Sequence, residues 1–289
     1  MRDRRSRGSQ YIGLVLLLAL LAGGPPCWGR YISLNVKTKG EFVERFVSVS
    51  GVIANEGDES AYQVQALLEI EGHAVGLPTI AEIRPHEQQS VKVNVPVGVL
   101  EQGAYTGVLR VGYADGNGYA LSTVAVIPVS KRVNPPSPVT AVVRAGDVAS
   151  SGEIDVLVSN VVRRPAPVRV RLIAPRELTV TPSDARIVLQ GGQQESLRFA
   201  VRNASALPGS SYAVFAIVDT EENGAHTSVV HSDRMAILAA AGTPSSSVLI
   251  VALALIPIAV LLFVRVSRWA VVRLKKAPPP GAVPRRVSG

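Results

Sequence analysis

The side chains of this 289-residue chain with the widest chemical scope are one cysteine, four histidines and a few neighbouring carboxylates. Cys27 has no second cysteine, so neither a disulfide framework nor a cysteine-based metal site can form. His73, His86, His226 and His231 stand outside any HExxH pattern. His226 and His231 are an odd number of residues apart, which puts them on opposite faces of one strand. Surface or loop positions are expected for the histidines. Asp115-Gly116-Asn117-Gly118 has the opening of a calcium loop, but Tyr119, Ala120 and Leu121 occupy the later ligand positions. A hairpin turn is expected there instead. Glu221 and Glu222 are sequence neighbours, which point apart on an extended chain and cannot act as a catalytic pair. The chain carries no P-loop, nucleophile elbow or dinucleotide fingerprint. The expectation is a protein that is not an enzyme and that uses no cofactor or metal.

Sugar recognition calls for exposed aromatic rings that stack on pyranose C–H groups. Trp28 and Trp269 lie in the two ends of the chain. Tyr62, Tyr105, Tyr113 and Tyr212 fall on apolar faces and read as core. Tyr119, beside the Asn117-Gly118 turn, is the ring best placed for exposure. Asn203-Ala204-Ser205 has the form of a glycosylation sequon ahead of the Leu207-Pro208-Gly209 turn.

The formal net charge of +8 is carried by the ends. Arg2, Arg4, Arg5 and Arg7 oppose Asp3 at one end, and seven basic residues without an acid follow position 264 at the other. The stretch between them is nearly neutral, which excludes a basic nucleic-acid-binding domain. The first arginines precede the apolar run Tyr11 to Ala22, then Gly23-Gly24-Pro25-Pro26. This is the pattern of a secretory signal peptide over residues 1–29, with cleavage after Gly29 favoured over lipidation at Cys27 or a retained anchor. Val248 to Val264 is an uncharged apolar segment. As a helix it spans roughly 26 Å, close to the hydrocarbon thickness. Pro257 should kink it, which membrane helices tolerate. Arg265, Arg268, Trp269, Arg273, Lys275 and Lys276 crowd one flank and read as membrane-interface residues. The positive-inside rule then leaves residues 30–245 outside and the basic tail 265–289 in the cytoplasm.

Between the ends the chain repeats itself. Val52-Ile53-Ala54-Asn55 matches Leu157-Val158-Ser159-Asn160, and Gln88-Gln89-Ser90-Val91-Lys92-Val93 matches Gln194-Glu195-Ser196-Leu197-Arg198-Phe199. Gly103-Ala104-Tyr105 matches Gly209-Ser210-Ser211-Tyr212 with one insertion, and Asn117-Gly118 matches Asn223-Gly224. The offsets stay between 105 and 107 residues. Period-two alternation dominates both copies: Tyr62, Val64, Ala66, Leu68 and Ile70 against Gln63, Gln65 and Glu69, and Val168, Val170 and Leu172 against Arg169 and Arg171. Turn sequences such as Asn55-Glu56-Gly57-Asp58 divide the strands, and Asn134-Pro135-Pro136-Ser137-Pro138 divides the copies. Short antiparallel strands without helices imply a two-sheet sandwich in each copy. The Gly-x-Tyr entry into a late strand has the form of a tyrosine corner, with Tyr105 and Tyr212 as structural corner residues.

The strand ending in asparagine, the glutamine-serine strand start and the glycine-tyrosine corner resemble bacterial immunoglobulin-like modules of the cell-adhesion-related (CARDB) type, and the similar modules appended to alpha-galactosidases. The resemblance covers most of residues 40–240 and implies a non-catalytic module for spacing, adhesion or binding. The expected fold is all-β: two tandem Ig-like sandwiches, residues 30–133 and 139–240, joined by the Pro-rich linker 134–138. A stalk (241–247), one C-terminal transmembrane helix (248–264) and the tail 265–289 follow. The expected partners are membrane lipid and an envelope or membrane protein, with a polysaccharide as the alternative and no nucleic acid. In the first copy, Val124 and Val126 lie on an uncharged strand face that must be covered by the second copy or open to a partner. With Tyr119 they are the candidate interaction residues.

Overall fold

The computed structural model describes residues 31–132, 136–222 and 224–238. The signal segment 1–29, the Asn134-Pro135 part of the linker, the stalk 241–247, the apolar segment 248–264 and the basic tail with Arg265, Arg268, Trp269, Arg273, Lys275 and Lys276 lie outside the described residues. Among the described residues no helix is long and apolar enough to cross a membrane.

The described chain is all-β. Its first eight strands are β1 (Leu34–Val43), β2 (Phe46–Asn55), β3 (Ala61–Ile70), β4 (His73–Gly76), β5 (Ile80–Ile83), β6 (Gln88–Pro96), β7 (Gln102–Ala114) and β8 (Ala120–Lys131). The next eight are β9 (Val139–Ala145), β10 (Ser151–Asn160), β11 (Ala166–Ile173), β12 (Leu178–Thr181), β13 (Asp184–Leu189), β14 (Gln194–Asn203), β15 (Ser211–Glu222) and β16 (Ala225–Ala236). They form three sheets. A three-stranded sheet in the order β1-β2-β6 covers the first half, and a four-stranded sheet, β12-β14-β10-β9, covers the second. Both halves share the third sheet, of nine strands, whose path runs β13-β11-β15-β16-β7-β3-β4, with β5 beside β3 and β8 beside β7. This is an Ig-like sandwich pair with a common inner sheet.

Two separate cores follow from the period-two patterns. Val47, Val49 and Ile53 of β2 pack with Val64, Leu68, Leu109, Val111 and Ile127 in the first half. Ile154, Val156 and Val158 of β10 pack with Val168, Val170, Phe199, Val214 and Val218 in the second. Gly40 lets β1 cross close over β8, because a Cβ there would overlap the Val129 and Ile127 side chains. The alternation in β3 departs from expectation at its start. Gln63 adopts a positive φ of 51° and the pairing with β7 shifts between Tyr62 and Gln65. The bulge moves Ala61 into the core and turns Tyr62 outward at 37% exposure, so Tyr62 is not a core ring.

The repeated landmarks have structural jobs. Asn55 is buried at the end of β2; its Nδ2 donates to the Glu59 and Ile83 carbonyls at 2.7 and 3.0 Å, and its Oδ1 accepts from Gly57 N. Asn160 does the same at the end of β10, donating to Arg164 O at 2.8 Å and Leu189 O at 3.1 Å, and accepting from Val162 N. Each amide closes a turn whose backbone groups would otherwise be unpaired. The Tyr105 hydroxyl donates to Glu101 O at 2.9 Å, so the corner is closed four residues back. Tyr212 is half-buried; burial pushes its phenol above its ordinary value, opposed by the Ser210 side chain and the Leu207 backbone.

Strand β9, at the edge of its sheet, has its amides capped from β16. Ala141 N donates to His231 Nε2 at 3.3 Å and Ala145 N donates to Asp233 Oδ2 at 2.8 Å. His231 must therefore present an unprotonated Nε2, and burial lowers its pKa from the ordinary 6.5. A histidine with a depressed folded pKa contributes stability that is present above about pH 6.5 and lost as pH falls through its folded value. Urea unfolding of the full chain between pH 8 and pH 5 should show stability declining on the acid side. His231→Gln should flatten that decline; an unchanged acid slope would mean that another group causes it.

Candidate functional site

The site is built where the two halves meet. Each sandwich presents the outer face of the shared sheet to the other. Val108 and Val124 from β7 and β8 pack on Ile173 and Ile217 from β11 and β15, with Val126, Phe215 and Val230 alongside. Ile217 is fully buried and Val124 is only 8% exposed. The uncharged face of β8 is thus covered by the second half, so Val124 and Val126 do not form a free surface. At one corner the inner sheets fuse: Ala225 and His226 pair in parallel with Gln102 and Gly103. Gly103 permits this approach, since a Cβ would overlap the His226 carbonyl.

A ring of polar contacts surrounds the apolar patch. Glu177, in the turn between β11 and β12, is completely buried. Its Oε2 accepts from Ser122 Oγ at 2.6 Å and its Oε1 accepts from Ser122 N. Arg176 beside it donates from Nη2 to Leu121 O at 3.0 Å and from its backbone N to Ser122 Oγ at 3.0 Å. Arg110 bridges Glu69 Oε2 and Ala174 O, each at 3.2 Å. Thr106 Oγ1 and Ser228 Oγ share a hydrogen bond of 2.7 Å. Tyr119 donates to Ser205 O, so the ring expected at a free surface is tied into the joint. Tyr113 sits close by, and burial together with the Glu177 carboxylate pushes its phenol well up.

His226 is not a surface or loop residue. It lies in β16 at 8% exposure, with its ring stacked on Tyr105 at 4.3 Å and an interplanar angle of 2°. Its Nδ1 is 2.7 Å from Ala104 O and must donate, which fixes the tautomer. The corner of the first half and the start of the last strand of the second are thereby stacked together. Burial and the carboxylates of Glu71, Glu101 and Glu221 push the Tyr105 phenol up to about 12. His73 lies exposed in β4, and His86 takes a positive φ of 62° in a turn. Asp115 closes the β7–β8 hairpin, its Oδ1 accepting from Asn117 N at 2.9 Å and Tyr119 N at 2.7 Å.

Beside the joint lies a cleft of about 1060 Å³. Glu69 to Ala74 of the β3–β4 hairpin form one wall, and Arg169, Arg171, Arg186 and Val188 of β11 and β13 form the other. Asp219, Thr220 and Glu221 of β15 lie between them. Arg169 pairs with Asp184 and Arg171 with Asp219 Oδ2, both at 2.9 Å. Asp219 Oδ1 and Thr220 Oγ1 are buried and have no hydrogen-bond partner. Groups of carboxylates, histidines or cysteines able to hold a metal ion are absent among the described residues. Sequence reasoning missed this cleft and Glu177. A glutamate in a turn reads as solvated, and only the docking of the two halves buries it.

Glu177→Ala should cost roughly 1.5–3 kcal/mol in urea unfolding of the full chain, the range for hydrogen bonds to a charged group. Ser122→Ala, which leaves the backbone donor in place, should cost less, about 0.5–1.5 kcal/mol. Equal stability of Glu177→Ala and the parent chain would show that the carboxylate does not hold the joint.

No family model and no curated protein matches the chain. Among solved structures it is similar to Escherichia coli alpha-2-macroglobulin activated by porcine elastase, at 12% identity and a TM-score of 0.28, covering 73% of this chain and 22% of that one. It is similar to the YadV chaperone at 11% identity and a TM-score of 0.29, covering 70% of this chain and 98% of that one. A red sea bream transglutaminase matches at 13% identity and a TM-score of 0.27, covering 82% of this chain and 34% of that one. The chain spans less than a quarter of the macroglobulin's length. At these identities and TM-scores the likenesses carry no argument about activity.

Proposed function

We propose that this chain is a non-catalytic, membrane-anchored interaction or scaffold protein of the cell envelope, built from tandem modules of the CARDB type. In this reading residues 1–29 direct secretion, residues 30–245 stand outside the cytoplasm, residues 248–264 span the membrane and the basic tail remains inside. The observation that carries the reading is the joint. Two sandwiches that share one sheet, bury a carboxylate between them and cover each other's apolar outer faces form a stiff platform rather than two beads on a linker. Such a platform presents its surface residues in one fixed arrangement, which suits docking on a neighbouring membrane protein. The apolar segment with arginines, lysines and Trp269 on one flank supports the anchor and its orientation.

The topology is tested with single cysteines in a chain carrying Cys27→Ser. Val99, which is 90% exposed, is replaced by cysteine in one version, and Ser288 of the tail in another. A membrane-impermeant maleimide should label position 99 in intact spheroplasts and position 288 only after permeabilisation. Labelling of position 288 in intact spheroplasts, or protection of position 99, contradicts the proposal. Crosslinking in the same membranes should join the outer region to a neighbouring protein.

A further inference from the structure

Alternation separates the two faces of the three-stranded sheet β1-β2-β6. Val47, Val49 and Ile53 of β2 point into the core, so Phe46, Ser48 and Ser50 share the face turned away from it. One cross-strand row of that outward face is Lys39–Ser50–Lys92, and Lys37 stands two residues further along β1. Three of the four lysines between residues 30 and 245 are therefore on this one face, all of them exposed. Lys37, Lys39 and Lys92 have no carboxylate partner among the described residues. Glu41 is the one acid on the same face, so three positive charges against one negative leave +2. Lys37 to Lys39, Ser50 to Val52 and Ser90 to Lys92 line a shallow hollow of about 560 Å³.

The second copy shows what this row lacks. Lys92 is the counterpart of Arg198, and the offset of 105 residues that relates Asn55 to Asn160 makes Ser50 the counterpart of Asp155 and Ser48 that of Glu153. Asp155 stands between Arg144 and Arg198 in the strand register. Arg198 Nε lies 3.4 Å from Asp155 Oδ1 and 3.5 Å from Glu153 Oε2. In the first copy Lys39 and Lys92 flank Ser50 in the same way, about 10 Å apart across two strand spacings. The cations are present in both copies, but the acids of the second are serines in the first. The row thus holds a place for a carboxylate that the chain does not itself supply. A further feature of the face decides the kind of occupant. The row Val43–Phe46–Pro96 lies four residues along β1 from Lys39, about 13 Å away on the same face. Val43 is 47% exposed and Phe46 45%. A uronic-acid glycan carries carboxylates without apolar side chains, whereas a polypeptide brings both.

We propose that this face docks a segment of a partner protein whose aspartate or glutamate sits between Lys39 and Lys92, where Asp155 sits in the second copy, and whose apolar side chain covers Val43 and Phe46. The ammonium groups steer and select the acidic segment, an effect that salt screens. Burial of the Phe46 ring adds affinity that salt does not screen. The equivalent face of the second copy carries its own acids beside Arg198 and takes no part. The proposal rests on the reading of the chain as an interaction protein and names the surface that interaction uses.

Three fluorescent peptides of serine and threonine test it, each with one leucine and, four residues later, glutamate, glutamine or lysine. That spacing matches the distance of about 13 Å between the two rows when the peptide is extended. Binding to the full chain in nonionic detergent micelles is read by anisotropy at low salt. The glutamate peptide should bind roughly tenfold more tightly than either of the others. Lys39→Gln with Lys92→Gln should bring it to the level of the glutamine peptide. Ser50→Asp, which supplies the missing carboxylate from within, should do the same without lowering the thermal midpoint. Arg163→Gln, an equal loss of charge on the second half, should leave the preference intact. Equal affinity for all three peptides, preference for lysine, or a glutamate preference that survives the lysine substitutions overturns the proposal. A labelled uronic-acid polymer run alongside tests the other occupant: binding that depends on Lys39 and Lys92, without peptide selectivity, overturns the polypeptide and assigns the row to a glycan. Crosslinking of the parent chain in membranes separates these failures from a wider one. Crosslinks to a neighbouring protein without peptide selectivity remove this face alone, whereas absence of any protein crosslink removes the interaction reading itself.

Discussion

The structure depends on one constraint: both halves of the chain carry an apolar outer sheet face, and each can be covered only by the other. A two-sheet sandwich normally turns the second face of each sheet to water, which calls for polar residues at alternate positions. Here Val108 and Val124 on one side and Ile173 and Ile217 on the other break that rule. Left apart, the halves would each expose an apolar patch of the kind that drives association. Docked, they remove it from water. The polar ring of Glu177, Ser122, Arg176, Arg110 and Thr106 fixes the angle at which they meet.

Directionality comes from the polar ring rather than the patch. Apolar contact is indifferent to rotation about the contact normal, but the Glu177 carboxylate has to receive both donors of Ser122. A buried carboxylate without those donors is costly, so rotated arrangements are penalised and one geometry remains. The stack of His226 on Tyr105 acts in the same sense at the other end of the contact. The cleft follows from this geometry, since its two walls belong to different halves.

Much of the architecture is legible in the sequence because it is local. Alternation in β6, β11 and β14 marks the buried faces, and Asn55 and Asn160 mark equivalent strand ends. The corner tyrosine and its glycine read as one duplicated motif, yet the two copies use the glycine differently. Both have a positive φ, but Gly209 has open space around it, whereas Gly103 is where β16 comes against β7. That difference lies in tertiary contact, as do the burial of His226 and Glu177. The bulge at Gln63 has no local signal, because its composition is that of any polar strand position, and it reverses the expected placement of Tyr62. The uncharged face of β8 was visible as a surface in need of cover; which cover it receives depends on the second half.

Whether the two halves behave as one body is read most directly by calorimetry of the full chain. Two sandwiches that cover each other's apolar faces should unfold in a single transition, with calorimetric and van't Hoff enthalpies equal. Val124→Asp, which places a charge in the shared patch, should split that transition into two. Two independent transitions in the parent chain would contradict the account of a locked pair.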